Sequence, residues 1–209
     1  SLSYAKRKIN EIGIDNVELI QMDILEVDLL QEKFDIIESS GVLHHMDDPS
    51  KGLKSLLGVL KNNGFLKLGL YSELARQDII KAREYIASNN IKFNQTSIDD
   101  FRKSIISNKL PELYNLTLIN HFYSTSEFRD CFFHVKENRL TIGQIDQIIR
   151  SNGLKFLGFI LPHQIKSLYQ KYFPEDKKQT NLKNWTRLEE NNPDIFRSMY
   201  QFWACKTNI

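Results

Sequence analysis

The adjacent histidines of Phe34-Asp-Ile-Ile-Glu-Ser-Ser-Gly-Val-Leu-His-His-Met-Asp-Asp-Pro49 are the first residues to suggest chemistry. His44 and His45 are poor metal ligands as a pair, because neighbouring side chains on extended or turn backbone diverge. No carboxylate–histidine spacing elsewhere supplies the missing ligands, so no metal is expected. The apolar run before them narrows to Ser39-Ser40-Gly41, where small residues let a ligand lie against the backbone. The plainer alternative is a glycine-permitted turn whose serine hydroxyls satisfy local backbone groups. Further polar candidates end other apolar runs: Asp23, then Tyr71, Ser72 and Arg76, then His134, Glu137 and Arg139. Polar groups that converge from separate segments on an apolar cavity make a substrate site; singly, each is a surface or capping residue. Trp185 and Trp203 lie in apolar segments and read as core aromatics.

The elements that must hold these residues alternate in type. Leu2, Ala5, Ile9 and Ile12 recur at helical spacing, and Gly13 follows as a stop. Asn16 to Ile24 reads as a strand ending at Asp23, and Phe34 to Ser39 as a second, more fully buried strand. Asp48 caps a helix begun by Pro49, with Leu53, Leu56, Leu57 and Leu60 as its stripe and Asn62-Asn63-Gly64 as its end. Phe65 to Tyr71 is a third strand. Two αβ units in a row imply a parallel sheet.

From Glu73 to Phe133 the pattern is helical and irregular, with Ile79, Ile80, Tyr85 and Ile86 in one helix and Ser97-Ile-Asp-Asp100 capping another. Residues 73–133 therefore read as a helical insertion, or lid, within one domain. Thr141-Ile-Gly-Gln144 is a capping box, flanked by Leu140 and Ile145 as a hydrophobic staple. Leu154 to Leu161 is a fourth strand, helical patches follow around Ile165 to Tyr172 and Leu182 to Leu188, and Met199 to Cys205 is the last strand.

Composition excludes several classes of function. With 209 residues, 41% hydrophobic, 26% charged and a formal net charge of +2, the chain is an ordinary globular one. No basic block points to nucleic acid, and no apolar run approaches the roughly 20 residues that span a bilayer. Cys131 and Cys205 stand alone in apolar segments and read as reduced buried thiols of a cytoplasmic protein. The chain opens on Ser1 inside a helix, which reads as a fragment or trimmed chain.

The order helix, strand, strand, helix, strand, insert, helix, strand, strand resembles the later two thirds of a class I S-adenosylmethionine-dependent methyltransferase. The likeness is carried by Ser3-Tyr-Ala-Lys-Arg-Lys8, Gln21-Met-Asp-Ile24, Ser40-Gly-Val-Leu-His-His-Met46, Gly69-Leu-Tyr-Ser-Glu73, Leu74-Ala-Arg76 and Met199-Tyr-Gln-Phe-Trp203. These blocks are similar to the bacterial type in which a methyltransferase domain accompanies tetratricopeptide repeats, although no period of about 34 residues occurs here.

The resemblance implies an α/β, Rossmann-like sheet with strands 3, 4, 5, 6 and 7 of the family present and 1 and 2 missing. The last strand would lie antiparallel between its two predecessors, which separates the fold from a nicotinamide-binding one. It implies S-adenosyl-L-methionine as cofactor, with Asp23 on the adenine amino group, Ile24 against the ring, and Ser39, Ser40, Gly41 and His44 flooring its methionine end. It places the methyl acceptor, a small molecule or a protein, near Tyr71, Arg76, His134 and Arg139. His44, Tyr71 and His134 are the candidates for a base, required only where the acceptor must lose a proton.

The family's glycine-rich loop and its ribose-binding acid would lie before Ser1, and no GxGxxG occurs in the chain. The fragment alone is therefore expected to be inactive, with its first strand unpaired. Two other readings stay open: a non-catalytic relative kept for protein binding, and a nucleotide-binding oxidoreductase whose final strand would be parallel.

Overall fold

The structure, a computed structural model, describes residues 2–133 and 136–207. Its sheet has the order β1 (Phe34–Ser40), β2 (Leu60–Ser72), β5 (Tyr200–Lys206), β4 (Leu154–Phe159). β1 and β2 are parallel, whereas β5 runs antiparallel to β2 on one side and to β4 on the other. The final strand thus slots between its two predecessors, and the oxidoreductase reading is excluded by its direction. A two-residue strand, β3 (Arg139–Leu140), pairs in parallel with Tyr71 and Ser72 at the tip of β2.

Local chemistry explains most of the helices. In α2 (Pro49–Val59), Asp48 accepts a hydrogen bond from the Ser50 amide and proline occupies the first turn, where its missing N–H costs nothing. In α6 (Ile142–Ser151), the Thr141 hydroxyl accepts from the Gln144 amide while the Gln144 side chain accepts from the Thr141 amide, a complete capping box. α2, α6 and α8 (Leu182–Asn191) share one core on one face of the sheet. There Leu53, Leu56, Ile145, Ile149, Trp185 and Leu188 meet Leu66, Leu68, Phe202 and Ala204. α7 (His163–Tyr172) adds Tyr169 to it.

Residues 73–133 build a second core of their own. α3 (Gln77–Ser88), α4 (Gln95–Ile106) and α5 (Thr125–Phe132) bury Ile79, Ile86, Ile98, Phe101, Phe128 and Phe132 against one another and against 3-10 turns at Pro111–Leu118 and Asn120–Phe122. The cap of α4 is Asn94, which accepts from the Ser97 amide, one turn earlier than the expected cap at Ser97 to Asp100.

Three expectations need correction. Asn16 to Ile24 is not a strand: residues 14–23 are irregular, and a 3-10 turn spans Ile24–Leu30. Its alternation of apolar residues is genuine, but no described strand lies beside it, so Val17 and Ile20 stay 46% and 50% exposed. α1 (Leu2–Ile12) forms as its periodicity predicts yet buries no residue. The helix ending at Val59 passes straight into β2, so Asn62-Asn63-Gly64 lies in an irregular start of the strand, with Asn63 at φ 61°.

The sheet face opposite α2 and α6 is uncovered among the described residues. Ile36 is 59% and Phe65 45% exposed, and Trp203 and Cys205 are half-buried on that side rather than core residues. Cys131 is buried as expected.

Phe202, fully buried between β2 and β4, is expected to cost about 3–5 kcal/mol when cut to alanine. Thr141→Ala should cost only about 1 kcal/mol through the lost cap. Urea unfolding midpoints of the two variants check the ranking.

Candidate functional site

The candidate residues gather at the carboxyl ends of β1 and β2, the edge where open α/β sheets take their ligands. At the β1 tip Gly41 has φ 80°, a left-handed conformation that side chains resist, and a Cβ there would meet nothing within 4 Å. Gly69 of β2 is a glycine for the opposite reason. A Cβ there would come within 2.5 Å of the Met199 sulfur and 2.9 Å of Ser40. The tip is therefore tight between the strands and open beyond them. Ser39 is buried and its hydroxyl lacks a hydrogen-bond partner among the described residues.

A short 3-10 turn (Leu43–His45) then carries both histidines. His44 is 1% exposed and its ring packs against two others, edge-on to His45 at 4.2 Å and tilted against Tyr71 of the β2 tip at 4.0 Å. Neither ring nitrogen of His44 has a hydrogen-bond partner among the described residues. The Gly69 backbone lies near enough to favour a ring proton slightly, yet outside hydrogen-bond geometry. Burial foremost, then the neighbouring His45, lowers the His44 pKa to about 4, so the ring is neutral at physiological pH. Burial likewise raises the Tyr71 phenol above its ordinary value, against the pull of Arg76, and keeps it protonated.

Arg76 continues the row. Its guanidinium lies 3.6 Å from the Tyr71 ring centroid, at cation–π distance. It is 1% exposed and forked onto Glu137, with Nε and Nη2 donating to the two carboxylate oxygens at 2.9 and 2.7 Å. Glu137 is equally buried and also meets Arg139 at 3.5 Å and Arg83 at 3.7 Å. Arg76, expected beside the acceptor from its place after β2, has its Nε and Nη2 engaged by the buried Glu137 carboxylate. Arg139 is partly exposed and donates to Glu73 at 3.0 Å, so it lies at the rim. Cys131 lies 3.5 Å from Arg76, but burial pushes its thiol up to about 11, and it is no nucleophile at neutral pH.

Residues 136–140 fasten this cluster. The Asn138 amide donates to the His44 carbonyl at 2.7 Å and its side chain to the Met46 carbonyl at 2.7 Å. His45 Nδ1 meets the Lys136 carbonyl at 3.0 Å, and Lys136 meets Asp47 at 2.6 Å. Sequence reasoning did not single out Asn138, whose role lies in contacts with distant backbone.

Sequence reasoning also missed Glu189, buried on α8, which accepts from Ser72 at 2.6 Å and from Tyr200 at 2.6 and 2.7 Å. Its signal was available: Glu189 follows Trp185 by four residues, on the apolar stripe of α8. Burial raises its pKa, opposed by the two hydroxyls. The Ser72 hydroxyl in turn accepts from the Ala75 amide at 3.0 Å, so Glu189 anchors the turn that leads to Arg76.

Asp23 stands apart from this cluster. Its carboxylate accepts from the Leu25 amide at 2.9 Å and caps the 3-10 turn, which is the plainer of its two readings. Ile24 packs against the main core. His134 lies outside the described residues. Among those described, no group of three or more His, Cys, Asp or Glu could hold a metal ion, and no helix is long and apolar enough to cross a membrane.

A family model described as a methyltransferase domain matches residues 1–68, from α1 into β2. An uncharacterised protein of Synechococcus is 27% identical over 173 residues, covering 76% of this chain and 40% of that protein. Two solved structures of PKMT2 from Rickettsia typhi superpose on 99% of this chain and 42% of theirs. The one in complex with AdoHcy has a TM-score of 0.70 at 20% identity, the other 0.67 at 19%. The chain thus spans about 40% of the length of these relatives. Its fold is of the class I, Rossmann-like methyltransferase type.

The His44 site carries a pH signature. In the unfolded chain an imidazole takes up its proton near 6.5, whereas folded His44 refuses it until about 4. Between these values the unfolded chain holds more protons, so acid favours unfolding. Stability is full above about pH 6.5 and falls toward pH 4, by at most about 3 kcal/mol. Denaturant unfolding at pH 7 and pH 5 should show this loss, and His44→Gln should flatten it.

Proposed function

We propose that this chain carries the acceptor-facing part of an S-adenosylmethionine-dependent methyltransferase. The observation that carries the reading is the open strand tip at Gly41, inside the stretch that the methyltransferase model matches. Small residues and a left-handed glycine with free space above it fit a ligand lying on backbone. Ser39, Ser40, Gly41 and His44 would line the cofactor's methionine end.

Asp23 caps the 3-10 turn through Oδ1, which leaves Oδ2 to accept from an adenine amino group as the resemblance implies. A non-catalytic module keeping the fold is the second reading.

When bound, S-adenosylmethionine supplies an electrophilic methyl group on a sulfonium. That methyl group would be the one passed to an acceptor placed beside Tyr71 and Arg139. What the residues of this chain contribute is position and exclusion of water. His44 is neutral and Tyr71 protonated, so neither opposes the approach of a cationic donor with a like charge. A proton leaving the acceptor would pass to solvent or to the unpartnered His44 nitrogen, and with a pKa of about 4 the ring is a weak base. Tyr71 and Arg139 would face the acceptor, a small molecule or a side chain of a protein. His134 is retained as a further candidate there. The helices of residues 73–133 would serve as a lid over it.

The cytoplasm is the compartment proposed, and a protein that also carries tetratricopeptide repeats is the proposed setting. Residues 1–209 contain no glycine-rich cradle, so by themselves they should bind the cofactor poorly.

Titration calorimetry of the full-length protein with S-adenosylhomocysteine tests the reading. Micromolar binding is expected, weakened at least about tenfold by Gly41→Val, a loss of about 1.4 kcal/mol. Absence of any binding by the full-length protein would leave only the non-catalytic reading.

A further inference from the structure

Five candidates for an unassigned role stand out: the buried Glu137 hub, the Glu189 anchor, the cavity between α2 and α6, the open sheet face, and the lysines beside α7. Glu137 is the one whose contacts lead, atom by atom, into the candidate site.

We propose that Glu137 is a positioning residue which, by holding Arg76 in a fixed plane, sets Tyr71 against His44 and so shapes the acceptor-facing wall. This rests on the methyltransferase reading above for its functional meaning, though not for its geometry. Glu137 belongs to the segment that fastens the His44 turn, and its side chain reaches back 61 residues in sequence to Arg76. The two hydrogen bonds to one guanidinium fix its plane as well as its place, which a single contact would not do. The guanidinium carbon then lies 3.6 Å from the Tyr71 ring centroid, and the Tyr71 ring lies 4.0 Å from that of His44. Burial decides why the pair is there. Both partners are 1% exposed, and a buried ion pair adds little net stability compared with apolar side chains of the same volume. Its distinctive contribution is a unique arrangement of the groups around it. Arg83 and Arg139 add positive charge beside Glu137, at 3.7 and 3.5 Å from its carboxylate.

The experiment reads the His44 ring directly. In the full-length protein, the His44 ring proton signals are assigned by their disappearance in His44→Gln, and Tyr71→Leu gives their position without the neighbouring aromatic ring. In Glu137→Gln the signals should move from the native position toward that of Tyr71→Leu. In Arg76→Lys, which keeps the charge but loses the fork, they should move the same way. Arg76→Lys also reads the proposal should Glu137→Gln fail to fold. Calorimetric affinity for S-adenosylhomocysteine should fall less in Arg76→Lys than in Gly41→Val, because the pair reaches the cofactor's end only through Tyr71 and His44. Native His44 signals in Arg76→Lys would overturn the proposal, since Glu137 would then be a structural charge only. A cofactor affinity lost as fully in Arg76→Lys as in Gly41→Val would also overturn it, by making the pair part of the cofactor wall itself. If the wild-type protein binds no S-adenosylhomocysteine, the methyltransferase reading fails, while the His44 signals still decide the role of Glu137.

Discussion

Tyr71, Ser72 and Arg76 of the candidate site hang from the end of β2, and β2 is the strand that the rest of the sheet holds. Its backbone pairs with β1 on one side and β5 on the other, and its last two residues pair with β3. Tyr71 and Ser72 are therefore placed by main-chain hydrogen bonds before any side chain contributes. A loop could not hold them as well, because loops open locally at little cost in free energy. The antiparallel entry of β5 between β2 and β4 makes this possible, since it leaves β2 an interior strand with Leu66, Leu68 and Leu70 buried.

Onto that rigid end the chain adds charges that it has removed from water. Glu137 with Arg76, and Glu189 with Ser72 and Tyr200, are buried at two ends of the turn from residue 72 to residue 76. Each is satisfied by short hydrogen bonds, and each would leave a costly unpaired group if its partner were removed. Ser39 and His44 differ from them. They are buried polar groups with no described partner, at the same sheet edge. Buried nitrogens of Arg102 in the helical insertion are likewise without a hydrogen bond among the described residues, so the feature peculiar to Ser39 and His44 is their place at the strand tips.

Local signals were readable in the sequence, and distant ones were not. Asp48-Pro49 and Thr141 to Gln144 fixed the starts of α2 and α6 because a cap is decided within four residues. The direction of β5 was legible only through resemblance, as no residue pattern within Met199 to Cys205 encodes which neighbour it will join. The expected strand at Asn16 to Ile24 failed for the converse reason. Alternation marks a segment able to pair, but pairing needs a partner, and none lies beside it among the described residues. At the site, Ser39 to Gly41, His44 and Tyr71 were visible as small or polar residues ending apolar runs. The pairing of Arg76 with Glu137, far along the chain, was not legible, because no spacing rule connects them.

The packed rings also limit what kind of catalysis this edge can supply. His44 lies at about 4, the Tyr71 phenol is held protonated, and the Cys131 thiol is pushed up to about 11, so none is a competent base or nucleophile near neutral pH. Arg76 cannot serve as an electrophile while its donors face Glu137. An edge furnished in this way contributes shape and an uncharged surface at His44 and Tyr71, with its charges paired behind and beside them. Those properties suit a displacement in which both reacting partners arrive already activated, and they do not suit one in which the protein must first generate the nucleophile.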